Sequence, residues 1–274
     1  MKTIKRRLFH AACGVGSLLL ATTPVLAQEE GAEELPTEEA AAEEVDHLSG
    51  NLIMNIDSNF MSYGQDVWQK GTFRDALFHP QFDLKWDFGN GANIFAGTWW
   101  DVNNNADSSI SDAIQEIDVW LGAGYTYEKL SVSLTYQEWM YADDSERIVD
   151  LGLAYDTFLS PSLVIHGRVD GNGAQEEGVV FLLGIAHSFE LGSWTLKFPL
   201  NVGFVTEDYY QEDEGGFGYA SVGALASVPM SFIPEGYGSW TFNTGLTYFY
   251  TDDSNIGNTH NNILTGTIGV ALAF

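Results

Sequence analysis

Several charged side chains of this sequence stand two residues apart. Asp83, Lys85 and Asp87 do so, as do His166, Arg168 and Asp170, and Glu116 and Asp118. In an extended strand that spacing puts them on one face. Carboxylates, imidazoles and amines on one wall suit cation binding, proton exchange or the lining of a wet passage. The full set is Asp57, His79, Asp83, Lys85, Asp87, Glu116, Asp118, Asp150, His166, Arg168, Asp170 and Lys197. Acids outnumber bases in it, so a passage lined by these groups favours cations. The competing arrangement pairs Lys85, Arg168 and Lys197 with the acids and fills the interior.

A second group is the run Asp101, Asn103, Asn105 and Asp107, continued by Ser109 and Asp112. Oxygen ligands at alternate positions resemble a calcium loop. Ala106 stands where such a loop needs Gly, and Asp112 where it carries Glu, so this is a weak metal candidate. The chain shows no G-x-S-x-G elbow, no H-E-x-x-H and no cysteine pair. His187 and Ser188 are adjacent and so point to opposite faces of a strand. His166 and Asp170 share a face, without a nucleophile in sequence reach. We therefore expect no catalytic residues and no cofactor. A barrel hydrolase acting through His166 is the least favoured reading.

The elements that carry these residues alternate with a period of two. Phe78, Phe82, Leu84, Trp86 and Phe88 fall opposite His79, Gln81, Asp83, Lys85 and Asp87. Leu196, Phe198, Leu200, Val202 and Phe204 fall opposite Lys197, Asn201 and Gly203. Twelve strands follow, over 51–62, 76–88, 92–101, 114–127, 130–140, 147–157, 162–170, 179–189, 194–205, 217–228, 239–250 and 263–274. The links alternate between short (89–91, 128–129, 159–161, 190–193, with a longer 229–238) and long and polar (63–75, 102–113, 141–146, 171–178, 206–216, 251–262). Even strand number, alternating link length and aromatics at both strand ends are the pattern of an outer-membrane barrel. The aromatics are Trp86, Phe88, Tyr125, Tyr127, Tyr155, Phe189, Trp194, Trp240 and Phe274 at one end, and Phe60, Phe78, Trp100, Tyr248 and Tyr250 at the other. The expected fold is all-β: a transmembrane antiparallel up-and-down barrel of twelve strands, both termini periplasmic. A soluble lipocalin-like barrel would turn its apolar face inward instead.

Two segments precede the barrel. Lys2, Lys5, Arg6 and Arg7, an apolar run from Leu8 and the small-residue exit Val25-Leu26-Ala27 make residues 1–27 a signal peptide. Cys13, the only cysteine, lies in it. Residues 28–49 read as an acidic disordered periplasmic tail, with nine acids among residues 28–46. The barrel spans 50–274. The formal net charge is −27 and grows more negative once the signal leaves. This excludes nucleic acid, which needs clustered Lys and Arg. The expected partners are outer-membrane lipid and lipopolysaccharide, the barrel-assembly machinery, and small solutes or cations.

The stretches Ser58-Asn59-Phe60 with Tyr63-Gly64, Ile94 to Trp99 and Glu116 to Thr126 resemble the TorF-type porin family. The likeness covers under half the barrel. That family often carries an aromatic-Arg-Gly element in its first strand, where this chain has Tyr63-Gly64-Gln65. The resemblance implies a porin-like envelope protein of a Gram-negative-type bacterium. Together with the polar inner face it leads to the expected function, passive diffusion of small cationic or neutral polar solutes. The alternative is a closed structural or interaction barrel.

Overall fold

A computed structural model describes residues 47–108, 110–141, 144–171, 176–207, 209–210 and 215–274. The signal peptide and nearly all of the acidic tail lie outside the described residues. Fourteen strands follow one another: β1 (Leu48–Asp57), β2 (Met61–Ser62), β3 (Gln65–Asp66), β4 (Leu77–Asp87), β5 (Ala92–Val102), β6 (Ile114–Tyr127), β7 (Leu130–Tyr141), β8 (Asp144–Tyr155), β9 (Ser162–Asp170), β10 (Gly178–Leu191), β11 (Trp194–Val205), β12 (Gly216–Pro229), β13 (Ser239–Thr251) and β14 (Asn262–Ala273). All but β2 and β3 form one closed antiparallel barrel of twelve strands, each paired with its sequence neighbour. Closure is made by β1 on β14, from Asn51↔Ala273 to Asp57↔Thr267, and is extended by two backbone bonds between Gly50 and Phe274.

The alternation in the sequence decides which face points where. Leu121, Tyr125, Leu134, Phe181, Leu183, Phe198, Leu200, Val222 and Leu246 are exposed on the outside. The intervening positions face the interior and are buried or half-buried except towards the short-link rim, where Thr126, Ser188 and Glu190 are exposed. Closure satisfies the edge bonds that an open sheet would leave bare.

The link lengths separate as expected except at 142–143, which is as short as the turns of the opposite rim. Five connections at one rim span 88–91, 128–129, 156–161, 192–193 and 230–238. At the other rim the connections are 58–76, 103–113, 142–143, 171–177, 206–215 and 252–261. The start of β1 and the end of β14 lie at the short-link rim. The last long link carries a single helical turn, α1 (Asp253–Ile256), capped by Asp252 and closed by Gly257 in the left-handed region.

Many strand ends differ from the sequence reading by one or two residues, and three differ by more. β1 starts two residues before position 50, and the His47 ring stacks on Trp86. The expected loop 141–146 is mostly strand, because the β7–β8 ladder continues to Tyr141↔Asp144. The largest difference is the first strand, which was expected to continue to residue 62. It ends at Asp57, and the chain from Ser58 turns into the barrel. Phe60, placed by the sequence in an interfacial girdle, is buried inside.

Candidate functional site

The inner wall near the long-link rim holds three polar groupings, each made by register rather than by sequence proximity. Asp150 of β8 lies directly across from His166 of β9, with Asp150 Oδ1 2.7 Å from His166 Nδ1. The Gln137 amide donates to the other Asp150 oxygen at 2.6 Å, and the Tyr209 hydroxyl lies 2.8 Å from His166 Nε2. One ladder step away, the Arg168 Nε donates to Glu146 at 2.6 Å and an Nη1 donates to the Tyr209 carbonyl at 2.8 Å. The guanidinium also sits 4.1 Å from the centre of the Tyr209 ring. Across the lumen His79 has a carboxylate at each ring nitrogen, Asp57 at 2.7 Å and Asp101 at 3.1 Å. Glu116 and Asp118 are buried on the same inner face of β6.

Into the space between these groups comes the first long link. β2 and β3 form a two-residue hairpin whose turn is Tyr63-Gly64, both at positive φ. A turn of this kind requires that conformation, which Gly64 adopts freely and Tyr63 only at a cost. The tip carries the Tyr63 ring to 3.9 Å from the His166 ring, nearly parallel to it, and on towards Trp139. Phe60 packs edge-on against His79, with ring centres 5.5 Å apart, and tilted against Trp99 at 4.9 Å. The Tyr210 hydroxyl donates to the Tyr63 carbonyl at 2.9 Å, and the Asp66 amide donates to Asn258 Oδ1 at 2.9 Å. A segment that touches walls contributed by β4, β5, β7 and β9 and both of the last long links lies across the lumen. It forms a plug.

The plug is tightly packed. Tyr63, Trp139, Ile148, Val180, Val205, Tyr209, Tyr210, Tyr219 and Ile256 make one buried cluster, and Phe60, Val67, Leu77 and Trp99 a second. Desolvation, helped by the nearby Asp150 charge, pushes the Tyr63 phenol well above its usual range, so it stays neutral. Asp66 accepts from the Gly71 amide at 2.7 Å, while its Oδ1 is buried with no hydrogen-bond partner. Burial raises its pKa despite that bond.

The residues expected to line the lumen therefore separate into levels. Asp150, His166, Arg168, Glu116 and Asp118 sit at the plug. Asp83, bonded to Gln81 at 2.8 Å, and Lys197 face the interior nearer the short-link rim. Lys85 and Asp87 are 3.7 Å apart towards that rim. Asp170 departs from the set. A register shift between Arg147 and Ile148 turns it to the Arg147 side of the wall, where the two pair half-exposed at 2.5 Å. His166, which the alternation places on the same face, meets Asp150. The Asp150–His166 and Glu146–Arg168 pairs were not foreseen, because cross-strand partners lie 16 and 22 residues apart.

The calcium-like run does not converge on one point. Asp101 is buried inside β5 against His79, Trp68 and Asn103. Asn105 instead bonds Lys70 and Asp75, and Ser109 lies outside the described residues. Among the described residues no group of three or more His, Cys, Asp or Glu is arranged to hold a metal. His166, considered as a hydrolase base, is fully buried. Tyr63 and Trp139 stack against the ring, and Asp150 and Tyr209 meet its edges.

No family model and no curated protein matches the chain. Among solved structures it is similar to the KdgM porin in complex with disordered oligogalacturonate, at 11% identity over 82% of this chain and 99% of that one, with a TM-score of 0.47. The NanC porin matches at 10% identity over 81% and 98%, TM-score 0.46. The outer membrane phospholipase A from Escherichia coli matches at 13% identity over 82% and 92%, TM-score 0.41.

Proposed function

We propose that this chain is an outer-membrane channel for small polar solutes, closed at rest by its own first long link. The membrane assignment rests on the outer face. A continuous belt of exposed Leu, Val, Ile and Phe surrounds the barrel, with Trp and Tyr at both ends. Exposed to water, a belt of that extent would drive aggregation. Around a barrel it matches the lipid-facing band of an outer-membrane protein. The short-link rim then faces the periplasm and the long links face outward.

The observation that carries the channel reading is the nature of the interior. Twelve strands lie between the eight that side chains fill and the sixteen that leave a wide pore. Here the wall side chains leave enough room for a whole hairpin to enter. With the plug displaced, the charged groups on the wall are mainly acidic, set among apolar ones such as Trp139 and Ile148, and that acidic excess favours cations over anions. The second reading, a closed structural barrel, draws on the tight packing of that same plug.

Planar-bilayer recordings separate the two. The intact chain should conduct rarely. A variant with residues 59–73 replaced by a short Gly-Ser link should give discrete steps with cation preference in a salt gradient. Silence from a folded, heat-modifiable plug-less barrel would overturn the channel reading in favour of the structural one.

A further inference from the structure

The barrel wall is incomplete at one place. β14 pairs with β13 as far as Asn262, but on its other side β1 reaches only to Thr267. β4 begins level with the end of β1, at Leu77. Above that level the plug segment stands in for a strand. It bonds β14 mainly through hydroxyls: Ser58 N donates to the Gly266 carbonyl at 2.9 Å, Gly266 N to Ser58 Oγ at 2.8 Å, and Leu264 N to Thr72 Oγ1 at 2.9 Å.

A cavity lies on each side of this seam. The inner one, about 270 Å³, is bordered by Asn55, Asn59, His79, Thr247 and Thr265 together with Phe60 and Phe249. The outer one, about 330 Å³, has walls of Ile56, Phe73, Leu246 and Ile268. Asp57, Gly245, Gly266 and Thr267 border both. Two of those four have no side chain, so the wall between the cavities is thin.

We propose that this seam binds a single-chain amphiphile with a cationic or hydrogen-bond-donating head, its chain in the outer groove and its head towards Asp57. The proposal rests on the reading of the barrel as membrane-spanning. The occupant follows from the lining. The outer walls are apolar and face the same side as the lipid belt, which selects an alkyl chain. The polar groups at the groove are Asp57, Asp75, Ser58, Thr244 and Thr267. Among the lining residues of both cavities there is no Lys or Arg, and the one imidazole, His79, is shared between Asp57 and Asp101, so that with Asp75 the carboxylates around the groove stay in excess. An anionic head would be repelled there, whereas an amine finds a partner. The outer volume is at the small end of ligand pockets, roughly 300–1,000 Å³, and suits one chain rather than several.

The test uses the full mature chain in phosphatidylcholine nanodiscs, photolabelled with a diazirine-bearing dodecylamine or the matching dodecyl sulfate. The amine should label segments 56–75 and 244–268 about tenfold over the rest of the belt, and about tenfold over the sulfate. Ile268→Trp, which fills the groove, should abolish the seam labelling while the heat-modifiable band persists. Asp57→Asn should erase the preference for amine while the chain still labels. Uniform labelling around the belt, equal labelling by both probes, or a seam still labelled in Ile268→Trp would each overturn the proposal. If Asp57→Asn does not fold, the comparison of the two probes on the native chain decides the head chemistry alone. Failure of the chain to insert into bilayers would instead overturn the membrane reading on which it rests.

Discussion

At the scale of single residues, the plug is held by an aromatic contact and penalised by a buried acid, and the wall around it is braced by an ion pair between β8 and β9. Replacing Tyr63 by Ala removes the ring stacked on His166. Truncating a buried aromatic typically costs about 3–5 kcal/mol. The cost should fall on loop docking, so Tyr63→Ala should conduct far more often than the native chain while keeping its heat-modifiable band. Arg168 and Glu146 form a buried pair at 2.6 Å. Breaking such a pair costs about 3–5 kcal/mol, whereas replacing both partners by apolar groups is often neutral. Arg168→Met alone should therefore lower the thermal unfolding midpoint, and Arg168→Met with Glu146→Met should recover most of it. Asp66 acts in the opposite sense. Its raised pKa in the docked loop means that docking favours the protonated form. This contribution to docking is complete below the ordinary carboxylate value of about 4 and is lost as pH rises through the raised one. Opening should thus increase as pH rises out of the acid range. Asp66→Asn should flatten that part of the pH profile and keep the plug docked at neutral pH; an unchanged profile would remove Asp66 from the gate.

At the scale of elements, the strands face lipid with one parity and the lumen with the other. Phe198 is exposed on β11, while Asn201 faces inward beside Ser221. Arg on the lipid face costs about 2–4 kcal/mol at mid-membrane. Phe198→Arg should therefore impair assembly into the membrane, measured as the fraction of heat-modifiable protein, whereas Asn201→Arg should assemble nearly normally. The twelve strands were legible because each repeats a period-two signal over nine to fourteen residues. The exceptions have physical reasons. Residues 58–62 continue the apolar-polar pattern of β1, yet the β1–β14 ladder ends at Asp57↔Thr267 and only the Ser58 amide still reaches a β14 carbonyl, that of Gly266. Their apolar side chains are buried instead on the inner wall. The aromatics of the links, Tyr63, Trp68, Tyr209 and Tyr210, were the available signal for an inward fold. A loop in water has little use for four large rings.

For the whole molecule, a closed wall with an apolar exterior and an acidic interior follows from closing the sheet on itself. The composition, charge and alternation determined the all-β class, the twelve-strand count, the two rims and the face that the charged residues other than Asp170 take. These depend on local spacing, which one chain segment specifies alone. Tertiary structure decided the rest. Which carboxylate meets which histidine depends on register between strands far apart in sequence, and a bulge of one residue moved Asp170 out of the set. The closed state of the lumen, and the seam that the plug completes, depend on how much space the wall side chains leave and on which strand ends first. Neither quantity exists until the barrel closes.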